Sequence, residues 1–249
     1  MRASVIGILA GLAVLLTACT NTGKVRNYWK NADVTVTESN FDSAEDHFAR
    51  FAEKLVKAPL KDIGPAVDEL MEKLKSDEVS YYVYSEWIVM AFHSLLSPCR
   101  DPGIFNRFIE HFKTDGIMSE GEFAPLAELA DKDLLNAIGT LCTIPKLSEE
   151  KLWKPGEETL FLILNLDCAT CVAALRALSE EPGRHIALCF GNTPVPTISG
   201  WEYYHPEGLD EYFDLDAAPF WFTVDADGKV KTSYSLVPEY HNFATPDNE

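Results

Sequence analysis

Thr159-Leu-Phe-Leu-Ile-Leu-Asn165 runs through Leu166-Asp167 into Cys168-Ala-Thr-Cys171, and Val172 to Glu181 follows directly. The first block is continuously apolar, which suits a strand buried on both faces. The last block predicts a helix, stopped by Pro182-Gly183. The two cysteines therefore fall at a strand-to-helix turn. A redox dithiol needs this order. Its first sulfur sits at a helix N-terminus, where unpaired N–H groups and the helix dipole stabilise a thiolate. Two intervening residues bring the second sulfur within one turn. Cys-x-x-Cys also serves zinc, which takes four ligands in structural sites. No second Cys or His pair with matching spacing follows, and Cys189 and His185 lie in a strand-like run. No metal or other cofactor is expected.

Toward the C-terminus, His185-Ile-Ala-Leu-Cys-Phe190 predicts a second buried strand, with Cys189 a small, inert core thiol. Residues 192–208 read as loop, with three prolines and with Trp201, Tyr203 and Tyr204 as a candidate groove floor. Phe220 to Val224 and Lys229 to Leu236 predict two strands joined at Asp225-Ala-Asp-Gly228, a strong hairpin signal. Pro219 opens the first of them, where a missing N–H costs no ladder bond.

With these elements in this order, residues 159–240 resemble the thioredoxin superfamily, in particular periplasmic TlpA-like and thioredoxin-family lipoproteins. The stretch Asp216 to Val230 resembles the segment of that family in which a cis-proline opens a strand beside the dithiol. The resemblance implies an α/β thioredoxin-like C-terminal domain with Cys168 as attacking thiol and Cys171 as resolving thiol. It places Ala218 and Pro219 in the substrate groove. Two departures stand out. Asp167 puts a negative charge beside Cys168, which should oppose thiolate formation. Leu162 occupies the position, six residues before the first cysteine, where thioredoxins bury a proton-carrying carboxylate.

Toward the N-terminus, residues 140–158 are punctuated by Pro145, Pro155 and Gly156 and predict a domain boundary. Residues 40–138 carry helical periodicity in five blocks. Phe41, Ala44, Phe48 and Leu55 form one stripe, with Asp42 and Glu45 spaced as a capping box. Ile63 to Leu74 follows, then Val79 to Leu96, apolar almost all round. Asp101-Pro102 starts a fourth helix that Gly116 stops, and Phe123 to Ile138 is the fifth. An all-α domain is expected. It resembles the helical domain of unknown function that precedes thioredoxin-like domains in lipoproteins of Gram-negative gut anaerobes.

Arg2, the apolar run Val5 to Leu16 and Leu16-Thr-Ala-Cys19 resemble a lipoprotein signal, with cleavage before Cys19 and acylation of its thiol. The expected divisions are a signal peptide over 1–18, a tether over 19–39, a helical domain over 40–141, a linker over 142–158 and the α/β domain over 159–249. Tyr28 and Trp29 are the residues of the tether placed to dock on the globule. The expected location is the cell envelope, lipid-anchored on the periplasmic side of a membrane or at the cell surface. A formal net charge of −18 argues against nucleic acid as a partner. Five cysteines remain after Cys19. Cys99 and Cys142, both in the helical half, read by default as independent structural thiols, with a disulfide between them as the alternative.

The expected function is a membrane-anchored periplasmic thiol–disulfide oxidoreductase acting on protein thiols or disulfides with a redox partner. The alternative is a redox-inactive binding or assembly lipoprotein that keeps a structural Cys168–Cys171 disulfide.

Overall fold

A computed structural model describes residues 25–144 and 152–236 of the chain. It divides into two compact units, residues 1–130 and 131–249. Cys19 and the apolar run before it lie outside the described residues. No helix among the described residues is long and apolar enough to cross a membrane.

The first unit is built from α1 (Phe41–Leu55), α2 (Leu60–Leu74), α3 (Glu78–Phe92), α4 (Pro102–Asp115) and α5 (Glu120–Leu135), the last of which runs across the division. α1, α2 and α4 each bury one apolar stripe, as their periodicity predicts, whereas α3, apolar almost all round in sequence, buries the face of Tyr81, Tyr84, Trp87, Ile88 and Phe92 and leaves Val79 and Met90 exposed. On α1 that stripe is Phe48, Phe51, Ala52 and Leu55. The ends follow local chemistry. Asp101 Oδ1 accepts from the Ile104 N–H at 2.9 Å, Pro102 occupies the first turn, and Gly116 closes α4 in the left-handed conformation. α3 stops at Phe92, short of the predicted Leu96, because the chain turning back takes its last carbonyls. Ser97 Oγ donates to Ala91 O at 2.5 Å and Arg100 Nε to His93 O at 3.0 Å. The capping box predicted at Asp42 and Glu45 does not form. Asn40 stands at the cap, its Oδ1 accepting from the Thr37 N–H at 2.7 Å. Half of such a box forms at Ser119 and Glu122, whose Oε2 accepts from both the Ser119 N–H and Oγ at 2.7 Å. It starts α5 ahead of the predicted Phe123.

Residues 25–36, predicted as tether, belong to the core. Val25, Trp29, Val34 and Val36 are buried. Trp29 packs on Phe51 at 5.2 Å and Tyr84 at 5.9 Å between ring centroids. The Val36 N–H donates to Ser80 Oγ at 2.7 Å. A large aromatic within a polar stretch outweighs its neighbours, because burying it is worth more than the hydration of the chain around it.

The second unit is a five-stranded sheet of order β3-β2-β1-β4-β5. Its strands are β1 (Thr159–Asn165), β2 (Arg184–Phe190), β3 (Trp201–Tyr204), β4 (Phe220–Val224) and β5 (Val230–Leu236), and α6 (Ala169–Ala177) joins β1 to β2. β1 pairs parallel with β2 and antiparallel with β4, so it is central and buried along nearly its whole length. Leu160, Leu162 and Leu164 of β1 pack in one cluster with Cys171, Ala174 and Leu175 of α6. On β1's opposite face Phe161 stacks on Phe222 at 5.4 Å, and Phe213 lies 5.5 Å from Phe222. β3 falls inside the segment predicted to be loop. It is a four-residue edge strand whose Trp201 pairs with His185 of β2.

Residues around the predicted linker are hydrogen-bonded to the β4–β5 hairpin. The Gly139 N–H donates to Val230 O at 2.8 Å, Cys142 N–H to Gly228 O at 2.9 Å, and Gly156 N–H to Ala226 O at 2.9 Å. Gly228 turns the hairpin at φ 84°, and a Cβ there would stand 3.2 Å from Trp153 Cζ2. Gly228→Ala is expected to cost about 1–3 kcal/mol through left-handed strain, read as a drop in the denaturant midpoint. An unchanged midpoint would mean that residue 228 is not held in the left-handed conformation.

Candidate functional site

The chemistry-bearing turn begins where β1 ends. The Leu166 N–H donates to Phe190 O at 2.8 Å, which extends the strand by one residue. Cys168 is the N-cap of α6, with extended backbone at φ −107° and ψ 115°. The Cys171 N–H donates to Cys168 O at 3.1 Å, closing the first turn. The helix begins at Ala169 rather than at the predicted Val172, so both sulfurs belong to its first turn.

The two thiols differ in setting. Cys168 is half-buried, whereas Cys171 is fully buried. No disulfide joins them. The Cys171 thiol is pushed up to about 12, first by burial and then by its hydrogen bond with Cys168. Beneath them, Leu162 is fully buried between Ala187 of β2 and Trp221 of β4. The position that the resemblance associates with a carboxylate is thus dry and apolar.

Asp167 carries the negative charge that the sequence places beside Cys168, and the structure shows what that charge is bonded to. Its carboxylate turns onto the loop after β2. Oδ1 accepts from the Thr193 N–H at 2.9 Å and from Thr193 Oγ1 at 2.7 Å, and the Asn192 N–H lies 3.1 Å from both oxygens. These donors, with the Thr193 hydroxyl first, hold its pKa below the usual carboxylate value. The negative charge beside Cys168 is therefore shared with N–H and O–H dipoles. Gly191 makes this approach sterically open: at φ 99°, a Cβ there would stand 2.9 Å from Asp167 Oδ2. Asn192 and Thr193 were not predicted as part of the site. A Gly-Asn-Thr run directly after a buried strand is the only signal the sequence offers for them.

The Ala218–Pro219 peptide bond is cis. Phe220 pairs with Ile163, so Pro219 extends β4 toward the end of β1 from which the Cys168 turn departs. The comparison with solved structures bears on the fold. A crystal structure of a thioredoxin-like protein from Bacteroides caccae matches with a TM-score of 0.69 at 14% identity, over 90% of this chain and 91% of that one. The fold is thioredoxin-like. No family model and no curated protein matches the sequence. At this identity the likeness carries the fold, helical half included, and the chemistry rests on the residues themselves.

Other predicted residues of the thioredoxin-like unit have structural roles. Trp201 is buried under the end of α6, its Nε1 donating to Leu175 O at 3.0 Å and lying 3.1 Å from Ser179 Oγ. It wedges the helix onto the sheet and does not floor a groove. Tyr203 OH accepts from the Ile198 N–H at 3.3 Å, and Tyr204 OH donates to Glu202 at 3.0 Å. His185 stacks on Trp201 at 5.0 Å and contacts Glu181 O through Nε2 at 2.9 Å. Among the described residues no group of three or more His, Cys, Asp or Glu side chains converges as a metal site. Cys99 in the first unit and Cys142 in the second are each buried, free thiols.

Cys189 is buried in the cluster beneath α6, and burial alone pushes its thiol up to about 12. A thiol whose folded-state pKa is raised contributes stability that is complete below its unfolded value and is lost as pH climbs through the folded value. Cys171 and Cys189 both move from 9.0 to about 12. The unfolding free energy of the reduced protein is expected to fall across that window. Cys189→Ala is expected to flatten the fall, measured as the pH slope of urea-unfolding free energy. An identical slope in the variant would show that the Cys189 thiol is solvated in the fold.

Proposed function

We propose that the thioredoxin-like unit is a thiol–disulfide oxidoreductase acting on protein substrates through Cys168 and Cys171, held in the cell envelope by an acylated Cys19. The observation that carries this reading is the unequal burial of two sulfurs on one helical turn. Cys168 is accessible to a partner, and Cys171 lies behind it within hydrogen-bonding reach.

In the reducing direction, the Cys168 thiolate attacks one sulfur of a substrate disulfide. An S–S bond forms between Cys168 and the substrate, and the other substrate sulfur leaves as thiolate, taking up a proton. Cys171 then loses its proton and attacks the Cys168 sulfur. The substrate leaves as a dithiol and a Cys168–Cys171 disulfide remains, two electrons having passed to the substrate. An external dithiol partner then reduces the Cys168–Cys171 disulfide, supplying two electrons and leaving as a disulfide itself. Reduction of insulin disulfides by the dithiol form is the direct test. Turnover that requires both cysteines is the expected result, and a rate no higher than that of the double Cys→Ser protein would rule the activity out.

One observation favours a second reading. Beneath Cys171 the buried side chain at position 162 is a leucine, which cannot receive its proton. A non-enzymatic assembly protein with a structural Cys168–Cys171 disulfide would need no acceptor there. The reduction potential separates the two, because a structural pair resists reduction by glutathione and a catalytic pair exchanges with it.

The anchor is supported by Leu16-Thr-Ala-Cys19 at the end of the apolar run. Cys19→Ala is expected to move the protein from the membrane to the soluble fraction or to leave it uncleaved. Mature protein that retains residues 1–18 would overturn acylation.

A further inference from the structure

We propose that a groove between α1 and α3 of the helical unit binds a peptide segment with one apolar anchor side chain flanked by basic residues. The groove is floored by Ala49 and Ala52 of α1 and walled by Phe48, Trp87 and Met90, with a volume of about 230 Å³. A cavity of about 150 Å³ accepts benzene, so this one takes a leucine or phenylalanine side chain and part of its backbone. Met90 is 61% exposed, and Phe41, 41% exposed, sets its ring edge-on to Trp87 at 5.4 Å. A thioether at the mouth adapts to differently shaped anchors.

The charge at the rim specifies the flanks of the occupant. Glu45 and Glu53 both line the groove and both are exposed. They lie eight positions apart on α1, about 12 Å along its axis. An extended peptide advances about 3.3 Å per residue. Basic residues two positions before and two after the anchor are then about 13 Å apart and meet the two carboxylates. The occupant has the pattern basic-x-apolar-x-basic. The net charge of −18 favours its approach at long range.

The test is titration of the full chain with the capped peptide Lys-Ala-Leu-Ala-Lys, followed calorimetrically at low and at physiological salt. Saturable one-to-one binding that weakens with salt is the expected result, with Glu-Ala-Leu-Ala-Glu and Lys-Ala-Ser-Ala-Lys each binding about tenfold more weakly or worse. Ala49→Trp, which fills the groove from an exposed position, should abolish binding. Glu45→Lys with Glu53→Lys, both on the surface, should weaken it about tenfold and keeps the test decisive if the Trp variant misfolds. The proposal fails if no saturable binding appears by millimolar peptide. It also fails if affinity is indifferent to the central leucine or to the rim charges.

Discussion

Cys168→Ser is expected to bring disulfide reduction down to the uncatalysed rate, while Cys171→Ser is expected to arrest the reaction as a mixed disulfide with substrate. The difference follows from the positions of the two sulfurs. Cys168 caps α6 and is half-buried, so an incoming disulfide reaches it first. Removing it removes the nucleophile, and the fully buried Cys171, pushed up to about 12, cannot substitute. Removing Cys171 leaves the attack intact and deletes the escape, so the covalent adduct accumulates. Non-reducing electrophoresis after exposure to envelope proteins reads the outcome. A Cys171→Ser band that migrates alone, in a protein whose wild type reduces insulin, would reverse the assignment of the two roles.

Trp29→Ala is expected to destabilise the helical unit by about 3–5 kcal/mol, as for other large core aromatics. Trp29 is fully buried against Phe51 and Tyr84, and with Val25, Val34 and Val36 it makes the segment before α1 a layer of the core. Its indole Nε1 finds no hydrogen-bond partner among the described residues. An unsatisfied buried donor costs about 1–3 kcal/mol. Trp29→Phe deletes that donor together with part of the ring, so it is expected to be much milder than the alanine variant. Chemical denaturation of the three proteins reads the order. Equal stability of wild type and Trp29→Ala would return residues 25–36 to the role of a tether.

The parts of this molecule legible from sequence are those fixed by short-range rules. Thr159 to Asn165 and Phe220 to Val224 match their strands residue for residue, because one is apolar throughout and the other is bounded by Pro219 and the Asp225–Gly228 turn. Asp101-Pro102 and Gly116 bound α4 for the same reason. The rest depends on partners distant in the chain. β3 is four residues long and exists through main-chain pairing with β2, which leaves no periodicity of its own. Trp201 reads as an exposed aromatic in a proline-rich stretch until α6 is folded over it. Within the site, the cysteines, Pro219 and Leu162 are visible as residue types at fixed spacing. Asp167 is visible too, but the donors that hold its carboxylate are not. Its charge meets donors from positions 192 and 193, a contact that requires β1 and β2 to be adjacent first.

That contact bears on how the sequence around the dithiol can diverge. Asp167 reaches the main chain of Asn192 and both the main chain and the hydroxyl of Thr193, and it passes over Gly191 without touching a side chain there. Position 192 is therefore open to almost any residue that keeps its N–H, and position 193 prefers Ser or Thr. Position 191 is confined to glycine. The spacing between them tolerates no change, because one inserted residue would swing both N–H groups off the carboxylate and leave a bare anion beside Cys168. Relatives of this chain should accordingly gain and lose residues beyond position 193, in the proline-containing part of the loop, and not before it.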